Sequence, residues 1–143
     1  MLTLHMRSGE AGPPPGDLSV PVPMPDAVWI DLVRPDPSEA AFVEHSTGLK
    51  LPSFDALSEI ESSSRLRAQD GVLYLSAPLV HRADADNPQT TPVGFVLGAE
   101  LLVTVRFEEL TAFTTFGQAA PTSAPEAFVG LIEALVDRNA DIL

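Results

Sequence analysis

Apolar positions along the chain fall into short strand-like runs and one long helical stripe. Leu2-Thr3-Leu4-His5-Met6 alternates apolar with polar or polarisable residues, the period-two pattern of a half-buried strand. Val28-Trp29-Ile30-Asp31-Leu32 is β-branched and aromatic and reads as a buried strand. Two runs at 65–68 and 72–77 flank Gln69-Asp70-Gly71, and Asp-Gly between strand-like runs signals a tight hairpin. A second hairpin pairs 93–97 with 101–105 through Gly98-Ala99-Glu100. Both of its runs are apolar at successive positions, which implies a central sheet covered on each side. The stretch 82–91 between the hairpins is polar and reads as a loop.

The helical signals are capping signals first. In Asp36-Pro37-Ser38-Glu39, Asp36 suits an N-cap, Pro37 the first helical position and Glu39 the returning acid of a capping box; Gly48 is a natural stop. A second helix starts at Ser53 after Pro52 and carries Phe54, Leu57 and Ile60. Ser123-Ala124-Pro125-Glu126 reads as another capping box. It opens a stripe of Phe128, Leu131, Ile132, Leu135 and Val136 at helical spacing. No stop signal follows, so the pattern is still open at Leu143 and implies a helix that runs on. The segment 108–117 shows no clear period. The segment 13–25, with Pro13-Pro14-Pro15 and Pro21, Pro23 and Pro25, is an extended surface loop because proline fixes φ and removes a donor. The expected fold is one α/β (α+β) domain over 1–143, an αβα sandwich with a mixed central sheet and helices on both faces.

Composition narrows the function classes. There is no cysteine, which excludes disulfides and thiolate metal sites. The net charge of −12 repels phosphate backbones, and the eight basic residues are scattered, so nucleic acid is not an expected partner. No secretory pattern opens the chain, and the apolar stretch 93–105 is too short to span a bilayer; the chain reads as soluble. The three histidines show no metal-ligand spacing, and neither a nucleophile elbow nor a phosphate-binding glycine loop occurs, so an enzyme is not expected. Acidic clusters remain. Asp84 and Asp86 lie near His81, and Glu61 follows the second helix. Asp55 and Glu59 stand four apart on that helix, hence on one face, where a hard divalent cation would relieve their repulsion. A solvated acidic surface is the plainer explanation of the same residues.

Trp29-Ile30-Asp31-Leu32, the helix start after it, Gly48-Leu49-Lys50-Leu51-Pro52 and Ile60-Glu61-Ser62-Ser63-Ser64-Arg65-Leu66 resemble, in order and spacing, the N-terminal domain of CorA-type divalent metal ion transporters. Leu101-Leu102-Val103-Thr104-Val105-Arg106 is similar to the late strand of that domain, and 131–137 to the start of its stalk helix. The resemblance implies a cytosolic sensing and assembly domain, with 124–143 as the start of a long stalk helix. Two transmembrane helices would follow in a full-length protein that forms a homopentamer on the cytoplasmic face of the inner (plasma) membrane. It implies no tightly bound cofactor but weak regulatory Mg²⁺ or another divalent cation at acidic interfaces. The matching acidic position falls at Asp55 or its neighbour Ala56, with Glu59 next. Magnesium or cobalt is the implied cargo. The ZntB-like zinc branch is the alternative, and a free-standing acidic interaction domain using its proline-rich segment is a second.

Overall fold

Strand propensity, turn chemistry and two-sided burial together build the central sheet. The computed structural model describes residues 1–14, 16–58, 65–82 and 88–142; for 80–82, 88 and 138–142 only the backbone is described. The strands are β1 (Leu2–Met6), β2 (Ala11–Gly12), β3 (Ala27–Val33), β4 (Arg65–Gln69), β5 (Val72–Arg82), β6 (Pro88–Leu97) and β7 (Leu102–Arg106). They form one sheet in the order β2-β1-β3-β7-β6-β5-β4. Its β3–β7 pair is parallel, with Asp31 opposite Thr104 and Val33 opposite Arg106; the other pairs are antiparallel. The helices are α1 (Pro37–Thr47), α2 (Phe54–Ser58), α3 (Thr111–Gly117) and α4 (Ala124–Ile142).

The two central strands, β3 and β7, are buried along their whole length, as their two-sided apolar patterns require. One apolar cluster joins Trp29, Phe95 and Leu102 to Phe113 on α3 and Leu131 on α4. The other joins Ile30, Leu32, Val96 and Val103 to Phe42 and Val43 on α1 and Leu57 on α2. Helices therefore cover both faces, giving the αβα sandwich with a mixed sheet. The proline-rich segment contributes Leu18, Val22 and Met24 to the second cluster, and Val22 N–H donates to Ser46 Oγ at 3.1 Å. It is an extended connector pinned to the α1 face.

Helix α1 follows its signals closely. Asp36 Oδ1 accepts from Glu39 N–H at 2.8 Å, Glu39 Oε1 accepts from Asp36 N–H at 3.1 Å, and Gly48 ends the helix at φ 74°. The first hairpin turns through Asp70 and Gly71 at φ 53° and 79°, both left-handed as the tightest hairpin loop demands.

Three sequence expectations need correction, and one segment without a clear period proves to hold a helix. The polar stretch 82–91 is no simple loop: β5 continues to Arg82 and β6 begins at Pro88, so strand pairing reaches into it. Pro78 and Pro92 stand opposite each other in that ladder, an arrangement open only to a pair that exchanges no hydrogen bonds with each other. The segment 108–117, whose pattern showed no period, contains α3, a helix whose N-cap position, Leu110, makes no side-chain capping bond. The capping box of α4 is half formed. Ser123 Oγ accepts from Glu126 N–H at 3.2 Å, while Glu126 Oε2 turns back to Thr122, accepting from its N–H at 3.1 Å and its hydroxyl at 2.8 Å. The buried edge of α4 runs Ala124, Ala127, Leu131 and Leu135, and Val136 points outward at 61% exposed. The second helix is described only to Ser58, so Ile60 lies outside the described residues.

Candidate functional site

Two polar features stand out, one on the surface and one in the core. On the surface, Asp55 sits in the first turn of α2 and is exposed. Ser53 opens that turn by accepting from Ala56 N–H at 3.1 Å, and Leu57 anchors it by burying against the sheet. Glu59 lies outside the described residues, as do Glu61, Asp84 and Asp86; His81 is described by its backbone alone. Asp55 thus contributes one solvated carboxylate on a face that Leu57 orients outward. A hard cation held weakly by oxygen ligands suits such a group once further carboxylates join it. Among the described residues no group of three or more His, Asp or Glu side chains is placed to hold a metal ion.

The buried feature links β1, β3 and β7. Asp31, 6% exposed, and Arg106, 4% exposed, form an ion pair with Arg106 Nη2 at 2.8 Å from Asp31 Oδ2. Arg106 Nε also donates to Asp31 Oδ1 at 3.2 Å, and Nη1 donates to the Glu108 carbonyl at 3.0 Å. Thr104 completes the carboxylate's shell by donating its hydroxyl to Asp31 Oδ1 at 2.9 Å, and it accepts Trp29 Nε1–H at 2.9 Å. The parallel β3–β7 register explains why these groups meet. Trp29 and Asp31 on one strand, Thr104 and Arg106 on the other, recur every second residue and point to the same face. The Phe113 ring lies under the guanidinium at 4.6 Å, and the His5 imidazole stacks on Trp29 with centroids 4.0 Å apart.

Burial pushes the His5 imidazole below its ordinary pKa, and the nearby Asp31 charge opposes that only in part. Every buried polar side-chain atom among the described residues has a partner. A fully satisfied network of this kind holds strands in register; it offers no free base, nucleophile or open metal position. Its sequence signal was present in Asp31, a charge at the centre of an apolar strand. That charge demanded a cation, and nothing in the linear pattern identified Arg106 as the partner 75 positions later.

The family model described as CorA-like Mg²⁺ transporter protein matches residues 25–143. The magnesium transport protein CorA of Escherichia coli (strain K12) is 30% identical over 125 residues, covering 83% of this chain and 40% of that protein. The chain therefore spans about two fifths of the length of the curated relatives it matches. Among solved structures, the full-length CmaX protein superposes with a TM-score of 0.68 at 19% identity, covering 99% of this chain and 46% of that one. The ZntB cytoplasmic domain from Vibrio parahaemolyticus RIMD 2210633 superposes with a TM-score of 0.61 at 18% identity, covering 80% and 49%. At these identities the structural likenesses establish the shared fold alone. The sequence match extends from β3, through the Asp31–Arg106 network, to the end of α4, and on that basis the chain belongs to the CorA-like Mg²⁺ transporter family.

Proposed function

We propose that this chain is the cytosolic sensing and assembly domain of a CorA-family divalent cation transport protein, with magnesium as the cargo of the whole protein. The observation that carries the proposal is the family match over 25–143, on a chain that folds as the αβα sandwich its sequence implies. No helix among the described residues is long and apolar enough to cross a membrane, so conduction belongs to other parts of the transporter. The relative with 30% identity is a magnesium transport protein, whereas the likeness to the ZntB domain rests on 18% identity and bears on fold only. That difference favours magnesium over zinc.

In this proposal 124–143 begins the stalk helix, and subunits associate through it. Val129 and Val136 support the reading: they lie seven residues apart on one face of α4 and are 53% and 61% exposed, a stripe left for a neighbour. Charge sets the terms of assembly. Five copies at −12 each would carry about −60 in all, ignoring bound ions, so association favours conditions that supply counter-cations. Divalent ions bridging Asp55 and Glu59 to carboxylates of a neighbour would stabilise the closed ring by mass action. Falling cation concentration would loosen it.

A chimaera tests the proposal. Residues 25–143 replace the matching segment of the Escherichia coli relative, and Mg²⁺ uptake is followed in vesicles loaded with increasing internal Mg²⁺. Uptake that slows as internal Mg²⁺ rises is the expected result. Uptake that proceeds but ignores internal Mg²⁺ would remove the sensing role.

A further inference from the structure

The α2 face of the sheet carries a recess that the transport reading does not use. Three residues on adjacent strands line up across it: Arg65 on β4 opposes Ser76 on β5, and Ser76 opposes Gly94 on β6. The next row runs Arg67, Tyr74 and Val96. Ser76 and Gly94 are small, so the sheet is hollowed at their row. A Cβ added at Gly94 would lie 2.9 Å from Pro52 and 3.3 Å from Leu57, which shows how closely the start of α2 settles onto that hollow. Beside α2 the hollow stays open as a cavity of about 280 Å³, with Pro52, Ala56 and Leu57 on its apolar side and Arg65, Arg67 and Ser76 on its polar side.

The polar side is cationic in a protein of net charge −12. Among the described residues neither Arg65 nor Arg67 forms an ion pair with a carboxylate. Arg67 is nonetheless held in place: its guanidinium lies 4.7 Å from the Tyr74 ring centre, and Nη1 donates to Gln69 Oε1 at 3.2 Å. A guanidinium fixed by an aromatic face, with further N–H groups unpaired among the described residues and a second guanidinium two residues along the strand, is suited to a carboxylate. Arginines on an edge strand also serve to block sheet-to-sheet pairing. That role requires no recess behind them and no apolar wall.

We propose that this recess binds a small organic anion, its acid group on Arg65, Arg67 and the Ser76 hydroxyl and its apolar body against Pro52 and Leu57. None of its described lining residues is acidic, and the proposal does not use the cation-sensing carboxylates. The ligand class is a monocarboxylate with a compact aromatic or branched aliphatic body, sized by the cavity.

Benzoate is the probe, titrated into the 143-residue chain while backbone amide shifts are followed by NMR at constant ionic strength set with sodium chloride. Shifts centred on 65–67, 76 and 94 that saturate on the order of millimolar benzoate are expected. Arg67→Gln should weaken binding about tenfold, the effect of one charge-assisted hydrogen bond. Ser76→Leu, which fills the hollow, should abolish binding with the fold unchanged by circular dichroism. Arg7→Gln, which removes the same charge near the opposite edge of the sheet, should leave the midpoint unaltered. Inorganic phosphate, an acid group with no apolar body, should bind at least about fivefold more weakly. Shifts that never saturate, that persist in both pocket variants, or that phosphate reproduces at equal concentration would each overturn the proposal.

Discussion

Replacing Arg106 by Met strips the buried Asp31 carboxylate of its cation while keeping a side chain of similar length. The guanidinium makes hydrogen bonds from Nε and Nη2 to Asp31 at 2.8–3.3 Å, with both of these side chains less than 10% exposed, and one from Nη1 to the half-buried Glu108 carbonyl. Breaking such a pair from one side leaves an uncompensated buried charge and costs about 3–5 kcal/mol. Thr104 still donates one hydrogen bond to Asp31, which favours the lower end of that range. For a chain of this size each kcal/mol moves Tm by about 2–4 °C, so a fall of at least about 6 °C is expected. Trp29 is the sole tryptophan and is fully buried two positions from Asp31, so its fluorescence reports urea unfolding of this region directly. The double variant Asp31→Leu, Arg106→Met removes both charges and should recover at least half of the loss, because an apolar pair leaves no ion stranded. A loss below about 1 kcal/mol for Arg106→Met, or a double variant no better than the single one, would refute this assignment of the network.

Further expectations follow from separate parts of the fold. Asp36→Ala removes the side chain that caps α1 and should cost about 0.5–2 kcal/mol by urea unfolding, with Asp36→Ser restoring most of it. Gly130→Ala should destabilise by about 1–3 kcal/mol despite alanine's higher helix propensity, since its Cβ would overlap the Phe116 ring; a rise in Tm would count against that packing. His5 has a folded-state pKa below its ordinary value, so its contribution to stability is complete above about pH 6.5 and is lost as pH falls through the depressed folded value. His5→Phe keeps the stack on Trp29 and should flatten that part of the stability–pH curve; an unchanged slope would locate the pH dependence elsewhere.

The elements that sequence made legible are those specified by local chemistry. Asp36, Pro37, Glu39 and Gly48 act within one helix, and Asp70-Gly71 acts within one turn, so their outcome is readable from neighbours alone. Burial of β3 and β7 was legible for the same reason: runs apolar at successive positions, broken by Asp31 in one and Thr104 in the other, have no face to spare for water. What escaped depended on distant partners. Helix α3 forms without a side-chain cap because Phe113 is buried against Trp29 and Arg106, contacts invisible in 108–117 itself. The β5–β6 pairing extends into a polar stretch because cross-strand partners supply what its composition lacks. Glu126 chose Thr122 over the Ser123 backbone because a hydroxyl and an N–H one residue earlier offered two hydrogen bonds in place of one. At the candidate cation site, sequence named Asp55 and Glu59 from their spacing and from the family resemblance; the structure places Asp55 on an exposed turn, and Glu59 lies outside the described residues.

The proposal that Asp55 and Glu59 sense divalent cations meets its most direct test in a Mg²⁺-dependent thermal shift of this chain beside its Asp55→Ala, Glu59→Ala variant, with Ca²⁺ in parallel and sodium chloride matching ionic strength throughout. The expected result is a rise in Tm over millimolar Mg²⁺, exceeding that of the matched salt and absent from the double variant. Equal shifts in both proteins, or a shift fully reproduced by sodium chloride, would contradict the proposal and leave these carboxylates as a solvated acidic surface.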